Sequence, residues 1–176
     1  MAVRESGYEM DDDIYDDEDT QKDKYLTFRL ANEEFGIPIA YVIEIIGIQN
    51  ITELPDMPHF IRGVINLRGK VIPVMDMRAR FGMERRDYDA RTCIIVVELD
   101  ELAVGLIADN VNEVADIPEN QVEPPPRGAS KVAAYIMGMG KIGQEVNILL
   151  DVRKILYADE QEKLQAAIAG GRDREA

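Results

Sequence analysis

Few side chains in this sequence could do covalent or acid–base chemistry. His59 is the only histidine and Cys93 the only cysteine among 176 residues. A catalytic histidine needs a nucleophile and an orienting group, and a metal site needs further ligands. His59 follows Pro58 and has no cysteine near it in sequence, so it reads as a turn residue. Cys93 opens the strand-like run Cys93-Ile94-Ile95-Val96-Val97 and reads as a buried core thiol. A lone cysteine forms no internal disulfide, which suits a reducing cytoplasm. Carboxylates crowd together at Asp11-Asp12-Asp13 and Asp16-Asp17-Glu18-Asp19, but in no apolar setting that could split their pKa values. Gly138, Gly140 and Gly143 lack the strand–helix context and lysine-serine ending of a phosphate loop, and read as turn glycines. The expectation is therefore no catalytic residue, no metal and no cofactor. What remains is recognition.

Charge narrows the partners. The net charge is −14, which argues against nucleic acid. Residues 1–24 hold ten acids and three bases, so half of the excess lies in an acidic tail. That tail, 1–23, has too little apolar content to fold and is expected to be disordered. Residues 57–91 carry eight Arg or Lys against four Asp or Glu, which makes this stretch a candidate contact surface. The longest apolar run, Val132 to Met137, is far too short to span a bilayer, and no basic segment leads into an apolar one at the N-terminus. Direct membrane insertion is not expected.

The elements that must position any contact residues are written twice. At an offset of 69, Leu26, Phe28 and Leu30 meet Ile95, Val97 and Leu99; Gly36 meets Gly105, Val42 meets Val111 and Glu44 meets Glu113. After a six-residue insertion the offset is 75: Ile61 and Gly63 meet Ile136 and Gly138, and Val71 to Arg78 meets Val146 to Arg153. The chain reads as a tandem duplication of a unit of some 60–70 residues, each unit several short strands broken by Gly and Pro. Such a pattern suggests small barrels. Val64 to Leu67, Arg68-Gly69 and Lys70 to Val74 read as a hairpin, with Gly69 supplying a positive φ. Asp76 is placed to cap a short helix, Met77 to Phe81, which Gly82 ends; Asp151 would cap a longer closing helix reaching towards Ala169. Pro124-Pro125-Pro126 reads as a stiff exposed connection. A barrel of one repeat is marginal alone, so the two should pack together, with exchange of their first strands one route and a groove between them a candidate site.

The run Phe60-Ile61-Arg62-Gly63-Val64-Ile65-Asn66-Leu67-Arg68-Gly69-Lys70-Val71-Ile72-Pro73-Val74-Met75-Asp76-Met77-Arg78 resembles the signature of the CheW family. So does Phe35-Gly36-Ile37-Pro38-Ile39 followed by Val42-Ile43-Glu44-Ile45. The resemblance extends from about Tyr25 to Tyr157. It implies an all-β fold of two intertwined five-stranded SH3-like barrels, with short helices and a C-terminal helix. The expected layout is a CheW-like domain at 24–157, in barrel subdomains of about 24–90 and 91–157, followed by a helix and tail at 158–176. The resemblance also implies a non-enzymatic cytoplasmic adaptor in receptor arrays at the inner face of the membrane. Such an adaptor binds the cytoplasmic tip of a chemoreceptor and the regulatory domain of a CheA-type histidine kinase at once. Binding roles fall by resemblance on Val42, Glu44, Gly63, Asn66, Arg68 and Gly69. Other readings stand beside those roles: core packing for Val42, turn geometry for Gly63 and Gly69, and a hydrogen bond to nearby backbone for Asn66. Neither Glu44 nor Arg68 belongs unpaired in a core, so surface pairing or partner contact is expected of both. A peptide-binding barrel of another signalling pathway is the alternative.

Overall fold

A computed structural model describes residues 21–126 and 131–155. Residues 1–20 of the acidic tail and most of the expected closing helix lie outside the described residues; at the tail's end, the Asp23 carbonyl accepts from the Ile117 N–H at 2.8 Å, so the ordered part begins before residue 24. The strands in chain order are β1 (Lys24–Leu30), β2 (Glu33–Pro38), β3 (Val42–Gly47), β4 (Ile61–Leu67), β5 (Lys70–Asp76), β6 (Cys93–Leu99), β7 (Leu102–Ala108), β8 (Asn110–Asp116), β9 (Val122–Glu123), β10 (Ile136–Ile142) and β11 (Glu145–Leu150). Two single-turn helices, α1 (Met77–Arg80) and α2 (Val152–Ile155), follow β5 and β11. Every strand of the first repeat, and its α-helix, thus has its counterpart at the offset read from the sequence: β1 with β6, β2 with β7, β3 with β8, β4 with β10, β5 with β11, and α1 with α2.

The chain is mostly β, in two sheets. The first runs β8-β1-β2-β11-β10-β9 and the second β3-β6-β7-β5-β4. Each sheet takes strands from both repeats, because the hairpin that opens each repeat pairs with the other repeat's strands. β2 joins β11 and β7 joins β5 by parallel pairing, while the other neighbours are antiparallel. Two details differ from expectation. The first sheet has six strands rather than five, because the two-residue β9 adds to its edge. Among the described residues neither sheet's ladder closes on itself.

Between the sheets lies the shared core. Leu26, Phe28, Phe35 and Ile37 of the first sheet meet Ile95, Val97, Val104 and Leu106 of the second, with Met77, Phe81, Tyr135 and Val152 filling the ends. Leu26 and Phe28 of the first copy and Ile95 and Val97 of the second, matched at the offset of 69, are all buried. Burying each aromatic or aliphatic side chain of this kind contributes about 1.5–3 kcal/mol before entropic costs. Each sheet also has a private cluster on its other face. In the second sheet it is large: Ile65, Ile72, Val74, Ile94, Val96, Ala103 and Ile107. In the first sheet it is small: Ala115, Ile117 and Leu149.

The hairpin forms as expected. Arg68 and Gly69 take φ values of 53° and 84°, and Asn66 Oδ1 accepts from the Gly69 N–H at 2.8 Å. Two positive φ values in a two-residue loop match the twist of the flanking strands. Asp76 caps α1, accepting from the N–H groups of Arg78 and Ala79. Asp151 accepts from the N–H of Arg153 in the same way. His59 lies exposed in a turn, with Nε2 3.3 Å from the Ala79 carbonyl, and Pro124 to Pro126 are exposed as expected. Two readings need correction. Cys93 is only partly buried, since it is the first residue of its strand, and its thiol donates to the Arg91 carbonyl. Gly138 and Gly140 lie inside β10, where Val122 and Ile117 pack against their backbone, so Gly143 alone of the three is a turn glycine.

Candidate functional site

Glu44 and Arg68 meet. Glu44 lies on β3, an edge strand of the second sheet, and Arg68 in the β4–β5 turn. Arg68 Nη1 donates to Glu44 Oε1 at 2.5 Å and Nη2 to Oε2 at 2.7 Å, a two-pronged fork on one carboxylate. Planar guanidinium geometry favours this arrangement. The hydrogen bonds from Arg68 hold the Glu44 carboxyl below its ordinary range, and the same bonds raise the Arg68 guanidinium. Arg68 is 73% exposed and Glu44 23%, so the fork stands at the surface. On either side of Glu44, Ile43 and Ile45 are exposed at 52% and 42%. Exposed apolar side chains around a fixed charge pattern make a surface suited to a protein partner.

The other four candidate residues are placed differently. A β-bulge at Ile43 breaks the register between Val42, opposite Val97, and Glu44, opposite Val96. One extra residue turns what would be neighbours on one face into residues on opposite faces. Val42 consequently packs against the shared core, while Glu44 faces the rim of the private cluster. Gly63 is tied to the fold: the segment before β4 folds back so that Thr52 and Val64 exchange hydrogen bonds. A Cβ at Gly63 would lie 2.0 Å from the Thr52 carbonyl oxygen. Asn66 and Gly69 complete the turn that carries Arg68. The structure therefore gathers Glu44, Asn66, Arg68 and Gly69 at one rim, with Val42 and Gly63 in supporting positions.

Two polar clusters on the basic stretch escaped the sequence reading. Asp76, beyond its capping role, accepts from Arg62 at 3.3 Å and from the Tyr88 hydroxyl at 2.8 Å. Burial, helped by that hydrogen bond, pushes the Tyr88 hydroxyl up to about 12. Asp109, at the β7–β8 junction, receives Arg78 Nε at 2.8 Å, Arg78 Nη2 at 2.6 Å and the Ala31 N–H at 2.8 Å. Burial works to raise the Asp109 carboxyl, but these bonds hold it below its usual value. Both clusters fasten the linker between the repeats, and Asp109 offsets part of the basic excess at 57–91 from outside that stretch. The only sequence signal was the concentration of arginine with scattered acids. Among the described residues no group of histidine, cysteine and carboxylate could hold a metal, and no helix is long and apolar enough to cross a membrane.

Comparison with known proteins decides the family. The family model described as the CheW-like domain matches residues 24–160. The chain belongs to the CheW family. The chemotaxis protein CheW of Klebsiella aerogenes is 37% identical over 143 residues, covering 81% of this chain and 86% of that protein. The protein FrzA of Myxococcus xanthus is 30% identical over 140 residues, covering 78% and 88%. Among solved structures, the scaffolding protein TtCheW from Thermoanaerobacter tengcongensis has a TM-score of 0.73 at 38% identity, covering 78% of this chain and 94% of that one.

Proposed function

We propose that this protein is a non-enzymatic chemotaxis scaffold that couples chemoreceptors to a CheA-type histidine kinase. Family membership along nearly the whole folded part of the chain carries the reading, since relatives of this similarity are named chemotaxis and scaffolding proteins. The partners are the cytoplasmic tip of a receptor and the regulatory domain of the kinase. The protein works in the cytoplasm, in arrays at the inner face of the membrane. Each sheet curls about its private cluster in the manner of an SH3-like barrel. The rim carrying Glu44, Asn66, Arg68 and Gly69, with Ile43 and Ile45 beside it, is the surface offered to one partner. There the fork presents a fixed charge pattern whose value lies in recognition rather than folding.

Co-sedimentation of the full chain with a receptor cytoplasmic fragment and the kinase tests this. A ternary complex that forms only when all three are present is expected, and failure to retain either partner would overturn the reading. Exchanging the charges, Glu44→Arg with Arg68→Glu, should restore part of the complex that either single change loses. Removing residues 1–22 should cost less than about tenfold in kinase affinity, because a segment of that composition buries no core.

A further inference from the structure

The repeat that builds the Glu44–Arg68 fork in the second sheet leaves it unfinished in the first. Glu113 is the counterpart of Glu44, 69 positions on, and sits beside a matching register shift. Thr27 Oγ1 donates to the Glu113 carbonyl at 2.8 Å and accepts from its N–H at 3.2 Å, which fixes that residue at the strand edge. The counterpart of Arg68, 75 positions on, is Gly143. Its φ of +60° is close to the 53° of Arg68, but Gln144, the counterpart of Gly69, lacks the positive φ of Gly69, so the turn differs at its second residue and the guanidinium is missing. Among the described residues the Glu113 carboxylate has no ion-pair partner.

Beside Glu113 lies a pocket of about 320 Å³, lined by Thr27, Arg29, Glu34, Asn112, Glu113, Glu145 and Asn147 together with the apolar Ile142. In the second sheet the corresponding space is filled: Val96 stands for Thr27, Ala103 for Glu34 and Ile72 for Asn147. Asn147 is 2% exposed, yet its side-chain amide makes no hydrogen bond to any described residue. A buried amide without a partner is costly, and facing a polar pocket it calls for a ligand group that can donate or accept. The lining carries one positive side chain, Arg29, and three negative ones, Glu34, Glu113 and Glu145, a local charge of −2. Arg29 is already engaged by Glu34 at 3.0 Å, and Glu34 also accepts from Asn112 at 2.5 Å. Among the described residues the acceptor side chains of the lining left without a partner are two carboxylates and one buried amide.

We infer that this pocket binds a guanidinium group supplied from outside the chain, seated on Glu113 as Arg68 is seated on Glu44, with the Asn147 carbonyl oxygen accepting a further N–H. A flat group with several donors suits that set of acceptors better than an alkylammonium does. The group can come from a free small molecule or from an arginine side chain, and the two are separable by experiment.

The test is an NMR titration of the full chain with N-ethylguanidinium, following the side-chain amides of Asn147 and Asn112 and the backbone N–H of Thr27 and Glu113. Saturable shifts are expected at a dissociation constant on the order of 1 mM, with n-butylammonium weaker by about tenfold or more. A single-arginine peptide that binds more tightly than the small cation would mark a protein-borne source; equal or weaker binding would mark a free ligand. Gly143→Arg combined with Gln144→Gly rebuilds the Arg68-Gly69 pair of the other hairpin, and should place a guanidinium on Glu113 in cis and weaken the probe by about tenfold or more. Glu113→Gln and Asn147→Ile, neither of which alters the turn, should do likewise. Absence of saturable shifts, equal binding of n-butylammonium, or full binding by Glu113→Gln and Asn147→Ile would each overturn the inference.

Discussion

The two sheets share a plan and differ in how their private faces are filled. In the second sheet seven buried apolar residues, Ile72 and Val96 among them, seal the interior, and a closed Glu44–Arg68 fork stands at its rim. In the first sheet only three are buried, and Asn147, Thr27 and Glu34 occupy positions that are aliphatic in the other. Duplication therefore supplied two copies of one backbone, of which one kept a stability role on that face and the other was released from it. The shared core between the sheets, with its paired aromatic and aliphatic residues from both, makes that release tolerable.

The comparison can be broken from either side. Ile72→Asn places the polar group of the first sheet in the sealed interior of the second, where nothing receives it. A loss of about 4 kcal/mol in denaturant titration is expected, from lost packing plus an unpaired amide. The halves also differ in the Arg78–Asp109 clamp, whose counterparts are Arg153 and Ala40 and make no pair. Asp109→Ala should cost about 3 kcal/mol by the same measurement, because Arg78 is left nearly buried and unpaired. Since the Asp109 carboxyl sits below its ordinary value of 3.8 in the fold, its contribution is present above that pH. It is lost as the pH falls through the folded value, so acid unfolding of Asp109→Ala should show a shallower slope there. Asn147→Ile runs the other way: filling the open face should raise stability by about 1–2 kcal/mol. Smallest of all, Arg68→Ala should lower the melting temperature by about 4 °C or less while weakening the ternary complex. An Arg68→Ala protein that melts much earlier yet binds normally would make the fork structural.

Much of this was legible in the sequence, for reasons that differ by element. Strand order along the chain, the Arg68-Gly69 hairpin and the Asp76 cap depend on neighbours in sequence, and local rules reach them. The Glu44–Arg68 pairing was an expectation from two charged residues that no core could take, and the geometry agrees. The bulge that parts Val42 from Glu44 was not legible, because one extra residue in a ladder leaves no compositional mark. Nor was the role of Asp109, whose partners come from helix α1 and from the turn after β1, far from it in sequence. Cys93 was misplaced because an apolar run says nothing about its first residue, where a strand emerges into solvent.

The trading of hairpins between the repeats has a consequence for how the chain is made. A growing polypeptide that has emerged only as far as the 82–92 linker holds β1 and β2 without the strands they join, and β3 to β5 without the strands that separate them. The first sheet cannot be completed until β11 emerges, since β2 and β11 lie side by side, whereas the second needs nothing beyond β7. For most of its synthesis the nascent protein thus exposes unpaired strand edges, the state most prone to joining a neighbouring chain. The same arrangement protects the finished molecule: a protease that cuts the linker leaves two fragments, each still hydrogen-bonded into both sheets.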